Sequence, residues 1–365
     1  MKRTLLGLVV ACLLAGLVTR AQPTPAFKLG TFGRDGQTFV GIVLRDAVVI
    51  DFARAHAAVP AGAAKVQPPA DMKDLIARYD AGVRTRILEI VAQVERAGTS
   101  RPPYVSDLKQ VTVRPPIMYP STMLNVAVNY REHGQEMAGG QPGATGAPPP
   151  GSAPPGTTSI AGIWERKPDD PRWNPYMFIK LPSAVIASEE AIKLPRGRTQ
   201  IDWECELGVV IGRQASGVPV EKAGDAIFGY TLENDVSDRG GRADSRHGGD
   251  WLIGKSHDTF APMGPFIVPK EFVPDPQKLA VTFTLNGKVM QDANTSLMIH
   301  TVFEQVSYAS HIATLRPGDV IATGSPAGVG SARKPPIFLK AGDLAVCSYE
   351  GIGTLRNPVA GPDAR

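Results

Sequence analysis

Cysteine is scarce in this chain, three in 365 residues, and Cys12 lies in a hydrophobic N-terminal run, so Cys205 and Cys347 alone can belong to the folded body. That excludes a small scaffold stapled by disulfides. Each of the pair sits in an apolar, strand-like stretch, which favours two buried thiols, with one disulfide open to them in an oxidising compartment. No repeat, heptad or nucleic-acid motif is present, and the charge excess is only +4. The apolar run from Leu5 to Val18 is too short and wrongly flanked to span a bilayer. Lys2-Arg3 ahead of it and Thr19-Arg20-Ala21 behind it have the layout of a secretory signal peptide over 1–21. Val9-Val10-Ala11-Cys12 ranks second as a lipoprotein box, and an uncleaved anchor ranks third. Cleavage after Ala21 would remove Lys2, Arg3 and Arg20 and lower the net charge from +4 to +1. The basic balance is therefore no argument for nucleic acid, and the expectation is an exported protein, periplasmic or secreted, with no membrane span in its mature form.

What is abundant is proline and glycine, 33 and 38 residues, which favours many strands and turns over long helices. Residues 22–116 read as a small N-terminal domain. It opens with a β-meander from about Phe27 to Phe52, turning at Arg34-Asp35-Gly36 and Arg45-Asp46, and a helix is predicted over Met72–Arg96. Residues 117–365 read as a larger domain of short strands with one helix at about Ser296 to Thr314. Residues 138–172 interrupt it with eight prolines and seven glycines and cannot build a packed element. This excursion follows His133 and Glu136, so it reads equally as a lid or a plain insertion.

Between Ile201 and Asp258 the acidic residues are hard to explain by folding alone. Asp202 to Gly212 reads as a strand whose period of two puts Glu204 and Glu206 on one face, with Trp203, Cys205, Leu207 and Val209 on the other. Neighbouring carboxylates in so apolar a setting need a cation or must take up protons. Glu-x-Glu alone is common on half-exposed strands. The apolar setting, Asp235 one segment later and Lys255 beyond it sharpen the reading. A set of carboxylates without His or Cys suits a hard divalent cation, Mg²⁺ or Mn²⁺, with Ca²⁺ behind them. Gly249 to Ser256 formally matches the phosphate-loop pattern, but no apolar strand precedes it and Pro262 and Pro265 follow closely, so it is rejected as a nucleotide site.

Six ordered segments then carry a resemblance. They are Asn129-Tyr130-x-x-His133-x-x-Glu136, Phe178-Ile179-Lys180-x-Pro182-Ser183-Ala184, Asp202-Trp203-Glu204-Cys205-Glu206-Leu207, and Gly229-Tyr230-Thr231-x-x-Asn234-Asp235-Val236-Ser237. Gly254-Lys255-Ser256-x-Asp258-Thr259-Phe260 and Thr323-Gly324-Ser325-Pro326-x-Gly328-Val329-Gly330 complete the set. The chain resembles the fumarylacetoacetate hydrolase family over roughly Met123 to Val359. The resemblance implies an α+β, mainly β fold with a mixed sheet, a homodimer, and divalent-metal chemistry on 2-oxo acids. It places Glu204, Glu206 and Asp235 at the metal, His133 and Glu136 as an acid–base pair, and Lys255 as an oxyanion-stabilising ammonium. Tyr130, Arg239, Arg242 and Ser325 fall at the substrate. Arg242 stands where an amide is usual, so either a second cation faces a more anionic substrate or the loop points elsewhere.

The activity expected is hydrolysis of a C–C bond in an acylpyruvate-like 2,4-dioxo acid. The alternatives are an isomerase, hydratase or decarboxylase of an unsaturated 2-oxo diacid, or a non-catalytic exported binding protein on the same scaffold.

Overall fold

The computed structural model describes residues 26–363 apart from 64, 99, 141–169, 171 and 244–248, with 242 and 243 as backbone only. The leader expected over 1–21 and most of the 138–172 segment lie outside the described residues.

The N-terminal meander forms as its turns dictate. Strands Lys28–Arg34, Gln37–Leu44 and Val48–Asp51 pair antiparallel, and Asp35 and Gly36 turn the first corner at φ +50° and +76°. Their alternate residues bury Leu29, Ile42 and Ile50. The predicted helix over 72–96 is two helices, Met72–Ala77 and Arg84–Ala97. Gly82 at φ +108° breaks them, a backbone value that the apolar spacing does not reveal. The second carries Ile87, Ile90, Val91 and Val94 onto the meander's core.

These strands do not form a sheet of their own. Lys28–Arg34 pairs with Ala261–Pro269, and twelve strands run in one mixed sheet from Val105–Asp107 through the meander into the strands beyond residue 117. After Ala261–Pro269 the order is Ile227–Asn234, Cys205–Ile211, Val320–Ala322, Met123–Ala127 and, at the edge, Tyr176–Ile179. The Val320–Ala322 and Met123–Ala127 pair is parallel and the links from Ala261–Pro269 to Val320–Ala322 are antiparallel. A second, five-stranded sheet is built from Lys288–Asn294, Ala280–Leu285, Leu344–Tyr349, Gly353–Ala360 and Ile192–Lys193. The architecture is α+β and mainly β. No helix among the described residues is long and apolar enough to cross a membrane.

The two sheets enclose a core in which Trp203, Cys205, Leu207 and Val209 meet Phe283, Cys347 and Leu355. Trp203 stacks on Phe283 with ring centroids 5.3 Å apart. Two buried thiols are not what the structure contains: Cys205 and Cys347 are joined by a disulfide with Cα atoms 5.5 Å apart. Facing strands of different sheets bring them together across 142 residues of sequence, a proximity that spacing cannot reveal. The C-terminal helix is Val302–Ile312, preceded by a 3₁₀ turn at Thr295–Leu297, so the expected span of 296–314 is shorter and broken. Thr301 caps it, with Glu304 returning the bond in a capping box.

Candidate metal and acid–base site

Register explains how three carboxylates meet. The Cys205–Ile211 and Ile227–Asn234 strands pair with Cys205 opposite Asn234 and Glu206 opposite Glu233. Just past that ladder, Asp235 donates its backbone N–H to the Glu204 carbonyl at 2.8 Å, and Glu204 donates its own to Asn234 Oδ1 at 3.0 Å. Glu204, Glu206 and Asp235 are all buried, and each offers an oxygen within 4.8 Å of the others. Trp203, Cys205, Leu207 and Val209 point the other way into the core, as the period of two predicts.

Cations surround this cluster unevenly. Lys255, the last residue of helix Trp251–Lys255, donates to Glu204 Oε2 at 2.6 Å and also to Asp235 Oδ2. Lys180, wholly buried, holds the other oxygen of Asp235 and the Val236 carbonyl at 2.9 Å. Arg239 bridges Glu204 Oε1 at 2.7 Å and Asp202 Oδ2 at 2.9 Å. Burial alone would raise Glu204, but Arg239 and Lys255 hold it well below the usual carboxylate range. Glu206 lies well above that range, pushed by burial and then by Asp235, Glu233 and Glu204. Its carboxylate accepts the Gly324 N–H at 2.8 Å. A divalent cation beside it would favour the ionised form, and three buried oxygen donors fit a hard metal ion.

The His133–Glu136 pair stands beside the cluster. On helix Arg131–Gly140, His133 Nδ1 meets Glu136 Oε1 at 2.8 Å, and His133 Nε2 lies 3.7 Å from Glu204 Oε1. Glu136 also accepts the Gly328 N–H at 2.9 Å. A carboxylate acceptor places the imidazole proton on Nδ1 and leaves Nε2 free to take one. Gly328 must be glycine: its φ is +105°, and a Cβ there would lie 2.1 Å from the Met290 carbonyl oxygen. The same loop secures Asp202, which accepts the N–H groups of Gly330 at 2.6 Å and Ser331 at 3.1 Å. Loop 328–331 therefore fixes both Glu136, the partner of His133, and the Arg239 side of the cluster.

One cavity opens on these groups, lined by His133, the three carboxylates, Arg239, Lys255 and Ser325. Its outer wall is apolar: Met137, Tyr176, Phe178 and Trp251, with Phe178 and Trp251 in contact at 4.6 Å between centroids. Val128 also lines it at φ +54°, a costly backbone state for a β-branched residue, of the kind that concentrates at working sites.

Not every residue expected at the substrate is there. Tyr130 does not line the cavity. Its ring is buried in the core, and burial pushes its phenol up. Arg239 lines the cavity but is spent on Asp202 and Glu204, and the side chain of Arg242 lies outside the described residues. Lys255 serves carboxylates, which supports rejecting the phosphate-loop pattern. Lys180 and Asp202 had no role in the sequence reading. A lysine between Ile179 and Leu181 is a signal of internal pairing, but its partner is 55 residues away.

The fumarylacetoacetate hydrolase C-terminal family model matches residues 122–360. This chain belongs to that family. It is similar to the mitochondrial oxaloacetate tautomerase of Xenopus laevis, 40% identical over 185 residues, which are 51% of this chain and 58% of that one. Among solved structures it is similar to 5-carboxymethyl-2-hydroxymuconate delta-isomerase from Mycobacterium smegmatis, with TM-score 0.60, 28% identity and coverage of 92% and 98%. It is also similar to maleylpyruvate hydrolase from Sphingobium sp. SYK-6, in complex with manganese(II) and pyruvate, with TM-score 0.63, 25% identity and coverage of 92% and 99%. The family is one of enzymes, and tautomerases, isomerases and hydrolases stand among these relatives. The expectation of export is overturned: three curated relatives, at 34 to 42% identity, are mitochondrial by name, from Xenopus laevis, Bos taurus and Rattus norvegicus. An apolar, basic-flanked start is a physical pattern that does not by itself distinguish an export signal from other N-terminal segments.

Proposed function

We propose that this chain is a divalent-metal-dependent hydrolase of a C–C bond in a 2,4-dioxo acid. The observation that carries the reading is one cavity wall holding three clustered carboxylates beside a His133–Glu136 pair whose Nε2 faces them. Glu204, Glu206 and Asp235 would hold Mg²⁺ or Mn²⁺, which supplies a Lewis acid for the oxygens of a 2-oxo acid. His133 Nε2 takes a proton from water as its oxygen attacks the 4-carbonyl carbon. The C3–C4 bond then breaks, leaving a carboxylic acid and an enolate to which the imidazolium returns the proton at C3. Glu136, held by Gly328, keeps the imidazole in the acting tautomer throughout. Ser325 supplies a hydrogen bond to the substrate, and the apolar wall of Met137, Phe178 and Trp251 limits bulk water.

A second reading is tautomerisation of a 2-oxo diacid, favoured by the tautomerase relatives. It uses the same base and metal, with proton transfer at carbon in place of attack by water. Acylpyruvates supplied to purified protein, with EDTA and then restored Mg²⁺ or Mn²⁺, separate the two. Metal-dependent release of pyruvate supports hydrolysis. Intact acylpyruvates alongside rapid loss of the enol absorbance of oxaloacetate would replace it with tautomerisation.

A further inference from the structure

Gln291 lies on strand Lys288–Asn294 of the second sheet and is 1% exposed, yet its side chain reaches the cavity-lining loop of the first. Its Oε1 accepts the Cys205 backbone N–H at 3.1 Å. Its Nε2 donates to the Pro326 carbonyl at 2.7 Å and to Ser325 Oγ at 2.8 Å. Both ends are fixed by groups with no choice of role: a backbone N–H can only donate, and a carbonyl can only accept. The amide therefore cannot be turned around, and Ser325 Oγ must accept from it. The hydroxyl's own proton is left with the Pro326 carbonyl at 3.3 Å, long for an O–H···O bond, and that oxygen is already served by Gln291.

We propose that Gln291 is a positioning residue that fixes the Ser325 hydroxyl as a donor into the cavity, toward an oxygen of the bound acid. This rests on the reading of the cavity as a 2-oxo acid site, and it specifies one polarity in that site. Donation runs one way, from the Cys205 amide between two of the carboxylates, through Gln291, to Ser325 and on to the ligand.

The test is pyruvate binding to manganese-loaded protein by titration calorimetry, with the affinity for manganese measured separately for each variant. Ser325→Ala weakens pyruvate roughly tenfold, and Ser325→Thr keeps the affinity. Gln291→Glu, which as a carboxylate can only accept from Ser325, weakens pyruvate by a similar factor. In the Ser325→Ala background it has less than about a twofold effect, because nothing remains for it to orient. Manganese affinity stays unchanged in all of them. Should Gln291→Glu not fold, Gln291→Met removes the donor without burying a charge, and its smaller loss likewise vanishes in the Ser325→Ala background. An equal loss with and without Ser325, or a fall in manganese affinity, overturns the proposal in favour of a merely structural role. Wild-type protein that binds no pyruvate overturns it as well, since Ser325 then has no acceptor to serve. Failure to hydrolyse acylpyruvates with the coupling intact retires only the hydrolase reading.

Discussion

On the proposed mechanism His133 is the proton acceptor and the carboxylates hold the metal, so one substitution should separate the two roles. His133→Ala removes the proton acceptor and should lower kcat roughly 10²- to 10⁴-fold, whereas manganese affinity, set by the carboxylates, should change little. Activity and calorimetry on the same preparation check both halves. Lys180 is a stability residue before it is anything else. It holds one oxygen of Asp235 while Lys255 holds the other, so Lys180→Met leaves a buried carboxylate half served. The cost in metal-free protein should be about 3 kcal/mol, at the low end for a broken buried pair because Lys255 remains, and urea denaturation reads it. At this scale the sequence was legible where alternation is local: Glu204 and Glu206 share a face, and His133 and Glu136 share a helical turn. It was illegible for Lys180, Asp202 and Gln291, whose partners come from strands and loops 30 or more residues distant.

Among the elements, the Val302–Ile312 helix shows how a cap doubles as a tertiary tie. Glu304 returns a bond to Thr301 and also receives Arg172 at 2.6 Å. Burial alone would raise its carboxyl, but Arg172 and the Thr301 N–H hold it below the ordinary 4.5. Its folded value being depressed, the stability it contributes is present above the unfolded value and disappears as pH falls through the folded one. Glu304→Gln should therefore lower the melting temperature at pH 7 and lose its effect progressively below about pH 4.5, by the same linkage. Thermal melts of both proteins across pH 3 to 7, roughly the window in which a depressed carboxylate titrates, decide it. Thr301→Ala should cost about 1 kcal/mol for the lost cap. The expected helix begins at Ser296 with no cap assigned, five residues ahead of the Thr301 cap. The break at Gly82 is not legible either, because apolar spacing of 3.6 continues through both helices.

For the whole molecule, the strand-rich class was legible in the sequence, whereas hydrogen bonding runs across the expected boundary near Pro115-Pro116. One sheet crosses it through the Lys28–Arg34 and Ala261–Pro269 pairing, and Val210, Phe228 and Ile267 share the meander's core. The two sheets are further locked by the Cys205–Cys347 bond, which closes 142 residues. Loop-closure entropy for that length is worth up to about 5 kcal/mol. Cys347→Ser, which spares the strand carrying the carboxylates, should therefore lower the denaturation midpoint clearly, and wild-type protein in strong reductant should match it. Conversely, manganese at about a hundred times its dissociation constant should stabilise the folded state by about 2.7 kcal/mol. That shift in melting temperature should be absent from Glu206→Gln.

The segment from Trp203 to Val209 has a consequence for anyone reading a saturation library of this protein. Odd positions face the joined cores, and Glu204 and Glu206 face the cavity. Selected for abundance, such a library should show its strictest demand for apolar side chains at every second position, Trp203, Cys205, Leu207 and Val209. Selected for turnover, the gaps should fill, with Glu204 and Glu206 dropping out as well. The difference between the two selections would then print the strand's pleat as a comb, separating residues that keep the protein present from those that make it work.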